Sequence, residues 1–228
     1  MYKCLYLVRH GQTVFNTQRI IQGRSDSPLT ELGCNQARAA ATWLREHGVR
    51  FDAAFSSLAE RACDTTEIIW AGAYTRLRDL RERAFGELEG TDVAALPKPM
   101  GDYPAQFGGE SQGQLEARIS GALTGVMRGE SGGVPGRSDK PGESCSVEPR
   151  SVDEPESGNV LVVSHGAACK GFAHVWEARA QAQIPDPFPN CEILVFEFDP
   201  EGCNGSGSFT LVEAIDPAAS LGGAGLAI

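Results

Sequence analysis

A short apolar run, Cys4-Leu5-Tyr6-Leu7-Val8, stops abruptly at Arg9-His10-Gly11, and a second run repeats the design. There Val160-Leu161-Val162-Val163 stops at Ser164-His165-Gly166. Short continuous apolar runs that end at polar residues read as buried strands. In open α/β sheets, ligands bind in the crevice beyond the carboxyl ends of such strands. Two histidines, each placed just past a strand end, therefore converge on one pocket with Arg9 beside them. The pairing predicts an α/β fold. The expectation is a single three-layer domain over residues 1–228, its central sheet mostly parallel, with helices on both faces and an antiparallel edge strand.

The intervening sequence fills in that frame. Residues 28–48 read as a helix: Thr30 is the N-cap, the alanine-rich stretch has high helix propensity, and His47-Gly48 is a stop. Residues 52–56 form a short strand. Ser57-Leu58-Ala59-Glu60 has the pattern of a capping box that opens a helix to about residue 70. Arg61 then lies in the first turn of that helix, where unpaired backbone donors and the helix dipole favour an anion. A strand is expected over 75–80, then a loop rich in proline and glycine. Ser111 and Gln114 make another capping box, for a helix to about residue 128. Residues 129–158 hold almost no large apolar side chains. They are expected to be a disordered insertion, because such a composition cannot offset its ordering entropy. A helix follows His165 to about residue 178, and strands over 191–198 and 208–212 complete the sheet. The tail from 217 is expected to fray.

Composition narrows the partners. The net charge of −10 argues against nucleic acid and anionic membrane, both of which need a basic face. An anionic substrate must instead be drawn in by a local group of arginines. Seven cysteines without Cys-x-x-Cys spacing suit reduced, buried thiols better than a disulfide framework or a zinc site. No charged and apolar leader opens the chain and no run is long enough to span a membrane, so a cytoplasmic location is expected.

His10, His165, Arg9 and Arg61 together match a tetrahedral dianion, since arginine forks pair with phosphate oxygens. A neutral imidazole nitrogen aimed at phosphorus can act as nucleophile. The remaining donors can spread the charge of a loose phosphoryl-transfer transition state. A carboxylic acid at the pocket edge must then protonate the leaving alkoxide. No third ligand with suitable spacing joins the histidines, so no metal and no cofactor is expected. His47 reads as a helix-end residue, His174 as structural and Cys169 as a core thiol.

The ordered set Arg9-His10-Gly11-Gln12-Thr13, Asn16, Gln22-Gly23-Arg24, Ser56-Ser57-x-x-x-Arg61-Ala62, Leu80-Arg81-Glu82-x-x-Phe85-Gly86-x-x-Glu89-Gly90, Gly109-Glu110-Ser111 and Ser164-His165-Gly166 resembles the histidine phosphatase superfamily, in its phosphoglycerate mutase-like branch. The resemblance implies His10 as the phosphorylated nucleophile, with Arg9, Arg61 and His165 forming the phosphate pocket. It also implies Asn16 as a further phosphate contact, Gln22 and Gly23 on the adjoining wall, Gly166 beside the second histidine, and Glu82 as proton donor. Glu87 and Glu89 compete for the acid role but read as solvated or capping residues.

One stretch departs from the mutases, which carry Glu-Arg-His-Tyr-Gly where this chain has Glu82-Arg83-Ala84-Phe85-Gly86. No Arg-Arg pair follows, and Ala167 stands where a mutase has asparagine. Arg83, with Lys98, Tyr103 and Phe107, is expected to shape a leaving-group pocket. These differences favour a phosphatase acting on a small phosphorylated metabolite without metal. A 2,3-bisphosphoglycerate-dependent mutase and a catalytically silent phosphate-sensing relative are the alternatives. A homodimer stays open.

Overall fold

The computed structural model describes residues 3–136, 145–149 and 156–221. The strands are β1 (Cys4–Arg9), β2 (Ala53–Ser57), β3 (Thr75–Leu77), β4 (Val134–Pro135), β5 (Asn159–Ser164), β6 (Ile193–Asp199) and β7 (Ser208–Ile215). They form one sheet in the order β4-β3-β2-β5-β1-β6-β7. The inner strands β3, β2, β5 and β1 run parallel. Both margins are antiparallel: β4 on β3 at one side, and β6 on β1 followed by β7 at the other. The expected antiparallel edge is thus present twice. The β6–β7 connection is short enough to form a hairpin, with Cys203 and Asn204 at φ 51° and 58°.

Helices cover both faces. Those of more than one turn are α1 (Val14–Gln18), α2 (Glu31–Glu46), α3 (Glu60–Ile69), α4 (Gln112–Arg128) and α5 (Gly166–Val175). Ala37, Ala40, Ala41 and Leu44 of α2, with Ala62 and Ile69 of α3, pack on Val8, Leu161 and Val163. On the opposite face Leu115, Ile119 and Leu123 of α4 and Phe172 of α5 pack on Leu5, Leu7, Val160 and Val162. The inner strands β1, β2 and β5 are buried on both sides, which is why they read as continuous apolar runs rather than alternating ones.

Thr30 caps α2 through the Gly33 N–H, and Ser111 and Gln114 form the reciprocal capping box of α4. The expected box at Ser57 does not form. Ala59 is the N-cap of α3 with no side-chain cap bond, and the Glu60 N–H is taken by Asp26 Oδ2 at 2.6 Å. Ser57 still belongs to β2, so its hydroxyl turns toward the sheet end.

Of the 129–158 segment, residues 129–136, 145–149 and 156–158 are described, and two of these pieces join the fold: Val134 and Pro135, both exposed, pair with Arg76 and Thr75. Val147, 1% exposed, bridges Trp70 and joins the α2–α3 core, and the Ser146 hydroxyl donates to the Ile68 carbonyl. A mostly polar stretch can be pinned by one buried valine and a few backbone bonds, which average composition hides. Residues 137–144 and 150–155 lie outside the described residues, as does the tail beyond 221. Before that point Ala218 is buried and 219–221 form a helical turn.

Candidate active site

The parallel register of β1 on β5 pairs Arg9 with Ser164. His10 and His165 therefore leave the sheet side by side, and the His10 N–H still donates to the Ser164 carbonyl at 3.0 Å. Their ring centroids are 5.2 Å apart. The turn after His10 presses against the start of α2. A Cβ on Gly11 would collide with the Gly33 carbonyl, and one on Gly33 with the Gln12 carbonyl. Two facing glycines let the backbones touch here, and that contact fixes the direction in which His10 leaves the strand.

His10 is buried, and its Nδ1 lies 2.8 Å from its neighbour's carbonyl, Gly11 O. A carbonyl only accepts, so Nδ1 carries the proton and Nε2 presents a lone pair. Burial first, then the charges of Arg61 and Arg9, hold the imidazole well below its ordinary pKa despite the Gly11 contact. Arg61 Nε donates to this Nε2 at 3.3 Å.

His165 is fully buried and lies well below its ordinary pKa for the same leading reason, reinforced by Arg61, His10, Arg118 and Arg9. It is neutral in this site rather than a standing positive charge. Its Nε2 meets Ser57 Oγ at 2.8 Å, and Ser57 Oγ also accepts the Ala59 N–H at 3.3 Å. His165 Nδ1, on the other side of the ring, is buried with no partner.

Arg9, 2% exposed, donates through Nη1 to the Phe188 carbonyl, while its Nε is buried and unpartnered. Arg9 Nε lies against Gly166, where an added Cβ would stand 3.3 Å away. Arg61 is held by the 23–26 loop: Nη1 donates to Ser25 O and Asp26 Oδ1, and Nη2 to Gly23 O. Glu89 secures that loop by accepting the Arg24 and Ser25 N–H groups at 2.9 and 2.7 Å. Glu89 is thus a backbone fastener, whereas Glu87 is exposed.

Glu82 is buried at the start of α5. Its Oε1 accepts the Arg83 and Ala168 N–H groups at 2.8 and 2.9 Å, and its Oε2 accepts the Ala167 N–H at 3.0 Å. The N-terminus of the helix that follows His165 thus holds the carboxylate, within electrostatic reach of Arg9. Asn16 and Gln22 brace the loops around His10. Asn16 Oδ1 accepts the Thr13 N–H and an Asn190 side-chain N–H, and Gln22 links Thr13 to Ser27.

Arg83, expected at the leaving-group pocket, is fully buried and donates to Glu110 O, Gln112 Oε1 and Gly101 O, tying the 101–112 segment down. Tyr103 and Phe107 pack against the cluster around Phe85. Lys98 lines a separate cavity of about 310 Å3 with Lys170 and Asp186.

Ser57, Asp26 and Asn190 position the site without having been singled out for it. Asn190 donates to the His10 carbonyl at 3.0 Å. Their partners lie 174 to 180 or 35 to 108 positions away in sequence, so no local pattern marks them.

The model of the histidine phosphatase superfamily (branch 1) matches residues 5–134. A 2,3-bisphosphoglycerate-dependent phosphoglycerate mutase of Methylobacterium radiotolerans is 32% identical over 82% of this chain and 84% of its own. The namesake enzyme of Methylorubrum populi is 36% identical over 57% of this chain and 71% of its own. The solved Bacillus stearothermophilus YhfR is 24% identical and superposes with a TM-score of 0.64 over 92% of this chain and 95% of that one, which is a likeness of fold.

Proposed function

The chain belongs to the histidine phosphatase superfamily, and on that premise we propose that it is a phosphatase: a metal-independent hydrolase of small phosphomonoesters that works through phosphorylated His10. One observation carries the reading. Around the neutral His10 Nε2, two buried nitrogens, Arg9 Nε and His165 Nδ1, have no partner. Leaving a buried polar group unpaired costs about 1–3 kcal/mol. A phosphoryl group between them, also reached by the free N–H of Arg61, would take the Arg9 donor directly and, with His165 in its Nδ1–H tautomer, the second as well.

The steps follow from the placement of each group. His10 Nε2 attacks phosphorus and the bond to the leaving oxygen breaks. Arg9, Arg61 and His165 carry the charge on the equatorial oxygens. Glu82 gives its proton to the leaving oxygen. Oε1 already accepts two N–H bonds and Oε2 only one, so Oε2 is the oxygen with room to pass the proton. Water then attacks phosphohistidine, returns a proton to Glu82 and releases phosphate. Glu82 is favoured over Glu87 because Glu87 faces solvent.

The hydrolytic outcome is supported by positions 84 and 85. Phe85 is 1% exposed within an apolar cluster, and Ala84 contributes backbone bonds to Glu110. Neither offers the polar side chain found there in mutases, so nothing at these positions retains a carboxylated intermediate while it reorients. The names of the 32% and 36% identical relatives favour a second reading, a 2,3-bisphosphoglycerate-dependent mutase. A small phosphorylated metabolite in the cytoplasm is the substrate class that either reading takes.

Wild-type protein quenched in denaturant after mixing with substrate should carry an acid-labile phosphate, and His10→Ala protein should carry none and lose turnover. Near-normal turnover in the variant would overturn the nucleophile. Interconversion of 2- and 3-phosphoglycerate that outpaces phosphate release, after priming with bisphosphoglycerate, would replace the phosphatase with the mutase.

A further inference from the structure

The chain that enters β6 wraps the Arg9–His10 turn at backbone level. Phe188 O accepts Arg9 Nη1, the Cys191 N–H donates to Arg9 O at 3.1 Å, and Glu192 O accepts the Arg9 N–H at 3.1 Å. Within this wrap Cys191 stands at φ 59°, a conformation that is costly for a residue with a side chain and that clusters at functional segments. The kink lies next to Asn190, which is 2% exposed and meets the His10 carbonyl through its side chain.

A carboxamide fits its density either way round, and only its partners distinguish oxygen from nitrogen. Here the partners decide. The His10 carbonyl can only accept, so the atom of Asn190 that meets it at 3.0 Å is Nδ2. The same Nδ2 lies 3.3 Å from one atom of the Asn16 carboxamide, and the Thr13 N–H lies 3.1 Å from that atom as well. Both neighbours are donors, so the Asn16 atom between them is its oxygen. Asn16 therefore turns its N–H2 end the other way. Among the described residues nothing accepts from that end, although Asn16 is only 5% exposed. A buried amide donor left over one side chain away from the nucleophile's backbone suits an anion as its partner.

We infer that Asn190 is a positioning residue of the phosphoryl site: it locks the Asn16 carboxamide so that a donor, and not the oxygen, faces the phosphoryl group at His10. The inference rests on the phosphatase reading for the identity of that group, but phosphate binding tests it without turnover. The lock matters because the two orientations of Asn16 act with opposite sign. A turned Asn16 would set the negative end of its carbonyl dipole against the phosphoryl oxygens, in a buried site where such contacts are weakly screened.

The test is a double-mutant cycle, read by calorimetric titration with inorganic phosphate and by kcat/KM on nitrophenyl phosphate. In wild type, Asn16→Ala should weaken phosphate binding about tenfold or more, as loss of a hydrogen bond to a charged group does. Asn190→Asp puts a carboxylate where a donor stood, so Asn16 turns its N–H2 end to that carboxylate and its oxygen to the phosphate. Phosphate affinity should fall at least as far, and adding Asn16→Ala to Asn190→Asp should then change it by less than about twofold. A merely structural Asn190 would lower affinity and leave the Asn16→Ala factor intact. An undiminished Asn16→Ala factor in the Asn190→Asp background would therefore overturn the inference, as would wild-type phosphate binding that ignores Asn16→Ala. Asn190→Ala, which removes the lock without adding charge, repeats the comparison should Asn190→Asp not fold, and there the Asn16→Ala factor should shrink by about threefold or more. A collapsed factor in phosphate binding with no hydrolysis of nitrophenyl phosphate would keep the lock and reject the phosphatase. Hydrolysis with an undiminished factor would do the reverse.

Discussion

Glu192 pulls the stability of this protein down as pH rises, and His10 and His165 pull it down in acid. Glu192 is 2% exposed, its Oε2 has no partner, and burial first and then Asp216 push its pKa up to about 8. Folded protein therefore binds the Glu192 proton more tightly than unfolded chain does. Its contribution is complete below the unfolded value near 4.5 and is lost as pH rises toward 8. His10 and His165 act in the opposite sense, because both are held well below 6.5 when folded. The unfolded chain takes up those two protons as pH falls through 6.5, so acid destabilises. Between pH 6.5 and 8 Glu192 removes about 1.6 kcal/mol, while the histidines, whose unfolded forms are losing their last protons there, return less than about 1. Between pH 6.5 and 5 Glu192 adds roughly 2 kcal/mol, and the histidines work against it. The wild type should thus lose about 1 kcal/mol from pH 6.5 to 8. Denaturant unfolding at pH 5, 6.5 and 8 measures this directly. Glu192→Gln should abolish the alkaline decline and make the protein more acid-sensitive than wild type, by roughly 2 kcal/mol between pH 6.5 and 5. Wild-type and variant profiles of the same shape would refute the buried, protonated Glu192.

Ser57→Ala should leave His165 Nε2 buried without its 2.8 Å partner, costing about 1–3 kcal/mol and lowering Tm by roughly 2–12 °C. Turnover should fall with it and recover in Ser57→Thr, whereas an equal loss in both variants would deny the hydroxyl its role. Glu82→Gln should slow alkyl phosphates by about 10²- to 10⁴-fold and nitrophenyl phosphate much less, because a good leaving group needs little help from an acid. Glu87→Gln, altering an exposed side chain, should do neither, and the reverse result would move the acid to Glu87. Val147→Ala removes two buried methyl-sized groups at roughly 0.8 kcal/mol each, before any cavity cost. Thermal unfolding should show that loss with kcat unchanged, while an unchanged Tm would mean that the 145–149 segment does not pack.

The sheet, the placement of Arg9, His10 and His165 at its carboxyl end, and the two helix starts at Thr30 and Ser111 were legible because each is written in consecutive residues. A buried parallel strand must be apolar throughout, and it must stop where the chain meets the pocket. A cap must offer its oxygen to a donor three residues on. Local grammar failed where a side chain could satisfy either a near or a distant partner. Ser57 has the spacing of an N-cap, yet it serves His165, 108 positions away, because β2 and β5 are neighbours in the sheet. Arg83 has the chemistry of an anion contact. Folding surrounds it with the carbonyls of Gly101 and Glu110, which spends its donors on the 101–112 segment. Val147 looked unanchored because the backbone groups of Ile69 and Ala71 that hold it lie at and just beyond the end of α3, far away in sequence. The protonation of both histidines likewise follows from burial and from arginines contributed by separate elements. Sequence by itself determined which chemical groups reach the end of the sheet. Tertiary structure decided which of their polar groups were already spent and which, on Arg9, Arg24 and His165, stayed buried without a protein partner.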